Sequence, residues 1–202
     1  MKRNCPIGIL LFLSLSMISG CAGITAEDAV SEDEFKPVIL VATQRVRGDH
    51  QRSVLYAKPV GNDMHIGFFV NRPTVVKLGQ LFPNHKPSHK ISEPVYFGGR
   101  MSNAIIAIVK ASVSPGKGSI QLADNLFMAM MATTVDSIIE KGGNNARFFY
   151  GYILWEPGEL HEQIRKGLWR IFDADTELVI RKETGGMWEE LLIKIEAKDN
   201  EI

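Results

Sequence analysis

Apolar and polar positions change their rhythm several times along the chain, and each change marks an element. Val38-Ile39-Leu40-Val41-Ala42 is an unbroken apolar run of strand length after Pro37, and a run without alternation suits a strand covered on both faces. Residues 53–57 and 66–70 form two more strands, and Pro59, Gly61, Asn62 and Asp63 between them have hairpin chemistry, so the first three strands are expected to be neighbours. Asn71-Arg72-Pro73 is expected to stop the third strand, because proline cannot donate to a ladder. Leu78, Leu81 and Phe82 at helical spacing predict a short helix, and residues 83–92 read as a polar loop. Residues 95–97 and 104–109 read as strands divided by Gly98-Gly99, where glycine supplies backbone conformations closed to other residues.

After the turn Pro115-Gly116-Lys117-Gly118, Phe127, Met131, Val135 and Ile138 step by three or four from Asp124, a good N-cap, to Gly142-Gly143. This predicts a central helix, with Met128, Met130 and Met131 in its core. Residues 147–155 read as one aromatic strand, Leu160 and Ile164 as a short helix ended by Gly167, and residues 168–172 as a last strand. Tyr152, Trp155 and Trp169 are expected to anchor the aromatic strand against the helix that follows it. Trp188, Leu191, Leu192 and Ile195 at i, i+3, i+4 and i+7, with Glu190 and Lys194 paired outside, predict a final amphipathic helix. Early hairpins, later helices and no regular βαβ alternation together indicate a single α+β domain.

The start of the chain follows a different logic. Lys2 and Arg3 precede an apolar stretch from Ile7 to Ile18, and Ile18-Ser19-Gly20-Cys21 resembles a lipobox, whose cysteine is acylated. The stretch is too short to cross a membrane, which takes about 20 apolar residues. Residues 1–20 are therefore expected to be a lipoprotein signal peptide and Cys21 the lipidation site. Residues 21–34, with Glu27, Asp28, Glu32, Asp33 and Glu34 and no basic residue, read as an acidic tether, and residues 35–202 as the folded domain. The expected address is the cell envelope, on the outer membrane facing the periplasm in a Gram-negative host, since Ala22 rather than aspartate follows the cysteine. Initiation at Met17 is the alternative, and it would leave a cytoplasmic protein.

Composition narrows the partners. Basic and acidic residues number 23 each, and loss of Lys2 and Arg3 leaves a slight acidic excess, so nucleic acid is not an expected partner. Both cysteines, Cys5 and Cys21, lie before the folded domain, which excludes a disulfide or a thiolate metal site within it. His85 and His89 have helical i, i+4 spacing, but Pro87 between them opposes a helix, and no metal is expected. Gly116-Lys117-Gly118-Ser119 lacks the glycine five positions before the lysine that a phosphate loop needs, and no GxSxG elbow is present. Gly98-Gly99-Arg100 reads either as a strand end or as a small anion nest, and Glu159, His161 and Glu162 either as acid–base candidates or as a solvated first turn.

Four blocks carry a resemblance: Val38 to Thr43, Gly67-Phe68-Phe69-Val70-Asn71-Arg72-Pro73, Tyr96-Phe97-Gly98-Gly99, and Gly151-Tyr152-Ile153-Leu154-Trp155-Glu156-Pro157-Gly158-Glu159-Leu160. In this order they resemble the signature of the YqgE/AlgH family. The resemblance implies an α+β fold with a bifurcated, partly barrel-like mixed sheet surrounded by helices, and no established activity or cofactor. It marks Asn71, Arg72, Pro73, Gly98, Gly99, Tyr152, Trp155 and Gly158 as signature positions, structural or binding. The chain departs from the family where Leu154 and Glu156 replace glycines, where Glu159, His161 and Gln163 replace Gln, Glu and Glu, and where Arg100-Met101 replaces a Pro-Val pair. It also has Gly48-Asp49-His50 where the family has Asp-Pro. Together these readings describe a lipid-anchored, non-catalytic binding or adaptor protein with the membrane and an envelope protein as partners. The alternatives are a cytosolic regulator, as the family name implies, or a small-ligand or hydrolase-like enzyme using Arg72, Arg100 and His161.

Overall fold

A computed structural model of the protein describes residues 36–199; the signal-like segment, Cys21 and the acidic stretch lie outside them. Its eleven strands are β1 (Val38–Ala42), β2 (Val54–Gly61), β3 (Met64–Phe69), β4 (Pro73–Lys77), β5 (Pro94–Phe97), β6 (Ile105–Lys110), β7 (Ser119–Ala123), β8 (Leu126–Ala129), β9 (Ala146–Tyr150), β10 (Ile153–Trp155) and β11 (Trp169–Asp173). Five helices join them: α1 (Leu78–Leu81), α2 (Ala132–Glu140), α3 (Glu159–Arg165), α4 (Thr176–Ile180) and α5 (Met187–Asp199). The strands form a five-stranded sheet in the order β10-β3-β2-β1-β11 and a six-stranded sheet in the order β4-β5-β9-β6-β8-β7. Every pairing is antiparallel except β5 with β9. The sheets are separate and neither closes into a barrel, which corrects the partly barrel-like expectation within an otherwise α+β, single-domain fold.

The unbroken apolar strands are explained by what covers them. Ile39 and Val41 of β1 point into a core that also takes Phe68 of β3, Ile106 and Ile108 of β6, Phe149 of β9, and Val179, Leu191 and Ile195 from α4 and α5. Leu40 and Ala42 point the other way, into a cluster with Trp155, Trp169 and Leu160 of α3. The opposite face of the six-stranded sheet packs Ala107, Val109 and Phe148 against Val135, Ile138 and Ile139 of α2. The two sheets thus share a central core and each has a second, helix-covered face, so strands buried on both sides need no alternation.

Several elements differ from the expectations. Residues 126–129 are a strand, not the start of the central helix: Leu126 and Met128 face the shared core while Phe127 and Ala129 face α2. Asp124 and Asn125 make a two-residue hairpin turn, with Ala123 opposite Leu126, and α2 starts at Ala132 after Met131, which caps it without a side-chain hydrogen bond. Met128 is therefore strand core, Met130 packs at the core's edge, and Met131 is exposed. The expected single aromatic strand is two strands in different sheets, broken at Gly151, where φ is +68°. Pro73 does end the β3 segment, yet it also opens β4, an edge strand where a missing N–H costs little. The polar loop at 83–92 contains a 3₁₀ turn, Lys86–Lys90, and β7 and α4 lie in stretches assigned no element. The first hairpin turns more tightly than expected, on Asn62 and Asp63 alone, both at positive φ. Among the described residues no helix is long and apolar enough to cross a membrane.

Candidate functional site

Both chain crossings between the sheets occur at one junction, and the signature residues build it. After β3 the chain passes through Val70-Asn71-Arg72 into β4 of the other sheet; after β9 it passes through Gly151-Tyr152 into β10 of the first. Asn71 stands in for a missing strand neighbour: its Oδ1 accepts from the Val54 amide at 2.8 Å and its Nδ2 donates to the Arg52 carbonyl at 2.8 Å. Arg72 directs one Nη at the Asp49 and Gln51 carbonyls, at 2.8 and 2.5 Å, and at Ser53 Oγ, at 2.9 Å, which ties the 48–53 loop to the junction. Gly98 donates to the Tyr150 carbonyl at 2.9 Å, and its carbonyl accepts from Phe69 of the five-stranded sheet at 3.1 Å. A Cβ on Gly98 would lie 2.1 Å from the Gly151 carbonyl oxygen, and one on Gly99 2.1 Å from that of Tyr152. These glycines are required by backbone packed on backbone.

Beside the junction opens a cleft of about 540 Å³. Its floor is the outer face of the five-stranded sheet, where Leu55, Phe69, Trp155 and Trp169 lie, with Phe97 and Tyr152 alongside. Asp49, His50, Gly99, Arg100 and Met101 also line it, as do Glu159 and Gln163 of α3. Trp155 fits because Gly67, diagonal to it on the neighbouring strand, has no side chain: a Cβ there would come within 2.6 Å of the indole. Gln163 orients the two tryptophans, its Oε1 accepting from Trp169 Nε1 at 2.9 Å and from Trp155 Nε1 at 3.4 Å. The expectation that Tyr152, Trp155 and Trp169 anchor the aromatic segment against the next helix holds for the two tryptophans, through this amide, whereas Tyr152 packs against the shared core. Gln163 in turn donates to Glu159 Oε1 at 3.3 Å, and Glu159 Oε2 accepts from the Glu156 amide at 3.1 Å. Gly158, at φ +79°, makes the left-handed corner that starts α3.

The opposite polar end of the cleft is less committed. Arg100 touches Asp49 at 3.5 Å, with both side chains at least 80% exposed. His50 packs on Phe69 with ring centroids 5.2 Å apart, and burial, reinforced by the nearby Arg100 and Arg72 guanidinium groups, holds its pKa below the usual histidine value. The structure therefore brings Arg100 and Glu159 to one cleft. His161 is not among its lining residues; its Nδ1 meets Asp63 Oδ1 at 2.9 Å, and its ring packs edge-on against His65. Glu162 pairs with Lys166 along the helix at 2.6 Å. His85 bonds Ser88, and His89 bonds the Pro83 carbonyl, within their own turn. Among the described residues no group of three or more His, Cys, Asp or Glu could hold a metal ion.

Two residues that carry much of this geometry were not singled out as site candidates. Gln163 and His50 appeared only as departures from a family pattern. Arg147 was missed altogether. It is buried on β9, donates to the Val70 and Val179 carbonyls at 2.6 Å each, and lies over the Tyr96 ring at 3.9 Å. Burial lowers its pKa to about 10, so it remains charged at neutral pH. Its place on the same face as Phe149, two residues on in a largely apolar strand, was the available signal.

The profile of AlgH-like proteins, DUF179, matches residues 39–199. A UPF0301 protein from Chlorobium limicola is 24% identical over 161 residues, covering 77% of this chain and 84% of its own. A UPF0301 protein from Rickettsia massiliae is 26% identical over 159 residues, covering 76% and 84%. The solution structure of the AlgH protein from Pseudomonas aeruginosa superposes with a TM-score of 0.66 at 18% identity, over 84% of this chain and 92% of that one. A crystal structure of a protein from Corynebacterium diphtheriae gives a TM-score of 0.63 at 19% identity, over 78% and 85%. The two structures share the fold, and with the profile running across almost the whole two-sheet domain, the chain belongs to the AlgH-like family.

Proposed function

We propose that the protein is a lipid-anchored, non-catalytic binding module of the cell envelope, and that the aromatic cleft beside the sheet junction is its ligand seat. The cleft carries this reading. Its volume of about 540 Å³ lies in the range of small-molecule sites, and a ring-lined floor with a few polar groups at the rim is the usual composition of such a site. Its chemistry suits holding better than turnover. Gln163 and Glu159 satisfy one another and the two indoles, and Arg72 is spent on backbone carbonyls. Among the described residues that line the cleft there is no serine, threonine, cysteine or lysine to act as a nucleophile. The address rests on the sequence of residues 1–21, and anchorage at Cys21 would present the cleft to envelope partners.

Two measurements on the full chain test the two halves of the reading. In proton–nitrogen NMR spectra the indole N–H signals of Trp155 and Trp169 shift as a small aromatic probe such as naphthalene-2-acetate is added, while that of Trp188, which does not line the cleft and is bonded to the Ala42 carbonyl, moves least. Three unmoved signals at millimolar probe would remove the cleft as a ligand seat. Metabolic labelling with a fatty-acid analogue marks the wild type and not Cys21→Ala; an unlabelled wild type would remove the anchor.

A further inference from the structure

We infer that the cleft takes a planar aromatic ligand carrying one carboxylate, with the rings on the tryptophan floor and the carboxylate at Arg100; this deepens the reading of the cleft as a ligand seat and rests on it. The inference comes from the contrast between the two polar ends. At the α3 end, Gln163 Oε1 already accepts two indole N–H groups, and both Glu159 oxygens accept hydrogen bonds from within the protein. That end offers a ligand little. A carboxylate placed there would also face the Glu159 charge.

At the other end, Arg100 keeps most of its guanidinium in solvent, and its ion pair with Asp49 is long and highly exposed. Such a pair contributes little to stability, so exchanging Asp49 for a ligand carboxylate costs little. Arg72 is pinned beneath the same loop by bonds to the Asp49 and Gln51 carbonyls, so its charge stays in place. The corner around His50 therefore holds two guanidinium groups against the single carboxylate of Asp49, and this excess of positive charge selects an anion. Arginine binds a carboxylate through two parallel N–H bonds, which fixes orientation as well as charge. The ring-lined floor supplies the rest of the affinity, because offset and edge-on packing on indole and phenyl faces favours a flat ring system over a branched aliphatic one.

The full chain, in detergent, is titrated calorimetrically with naphthalene-2-acetate and with its neutral amide, naphthalene-2-acetamide. Wild type binds the acetate about tenfold more tightly than the amide, a difference of about 1.4 kcal/mol, and the margin narrows as salt screens the charge. In Arg100→Gln both probes bind with the affinity that the amide has for wild type; the exposure of Arg100 makes this substitution safe for the fold, which an unchanged melting temperature checks. Equal affinities for the two probes in wild type would overturn the carboxylate assignment while leaving the cleft a ligand seat. A preference that survives Arg100→Gln would overturn the role of Arg100. Binding of neither probe would overturn both this inference and the reading beneath it.

Discussion

His50 and His65 set the response of the fold to acid. Burial is the largest influence lowering the pKa of each; Arg100 and Arg72 add to it at His50 against Asp49, and His161 adds to it at His65 against Asp63. In the unfolded chain both titrate near 6.5. Between that value and their lower folded values the unfolded state binds more protons than the folded one, so stability falls as pH drops through this window and is fully present above it. The urea midpoint is therefore expected to decline between about pH 7.5 and pH 5.5, before protonation of Glu93, Glu162 and Glu190, which lysine and arginine partners hold below the usual carboxylate value, adds its own loss at lower pH. In His50→Asn/His65→Asn the upper part of that decline disappears; a wild-type midpoint that does not move across this interval would refute the account. At this scale the aromatic anchors were legible, because large rings beside a strand-to-helix corner have few places to go. Gln163 and Arg147 were not, because their importance depends on which rings and carbonyls the fold brings to them.

Among the elements, the junction glycines show most directly how backbone contact restricts side chains. Gly98→Ala would drive a Cβ against the Gly151 carbonyl, and such overpacking costs about 1–3 kcal/mol or more. Gly185→Ala meets nothing within 4 Å and should stay within about 0.5 kcal/mol of wild type. Thermal unfolding of the pair checks this, and equal melting temperatures would show that the junction relaxes around an added methyl group. The same scale holds the main misreading. Phe127, Met131, Val135 and Ile138 fit a helix period, yet residues 126–129 are a strand buried on both faces, and a fully apolar segment satisfies either period. The final helix was read correctly because its stripe lies beside charged positions and so has only one buried side. The tight β2–β3 turn shows that Asn-Asp can reverse a chain by itself, with Pro59 and Gly61 left within β2.

Across the whole molecule, one shared core makes the two sheets a single unit. Arg147 reinforces that union: from the six-stranded sheet it reaches the carbonyl of Val70, where β3 leaves the other sheet, and that of Val179 in α4. Arg147→Ala removes its packing and strands two buried carbonyls, and is expected to cost about 3–5 kcal/mol, with tryptophan fluorescence and far-ultraviolet circular dichroism still reporting one urea transition. Two separate transitions would mean that the sheets fold independently. The sequence alone determined the α+β class, the neighbouring first strands, the short helix after Trp155 and the amphipathic last helix. Each of these follows from local periodicity and turn chemistry, which record whether a side chain meets water on one face. It also carried the family signature. Only the tertiary structure decided that the aromatic segment divides between two sheets, that no barrel closes, and that Arg100 and Glu159 share a cleft while His161 sits apart. Those outcomes depend on which distant segments pair, and a residue's own neighbours in the chain do not encode the partner it meets across the fold.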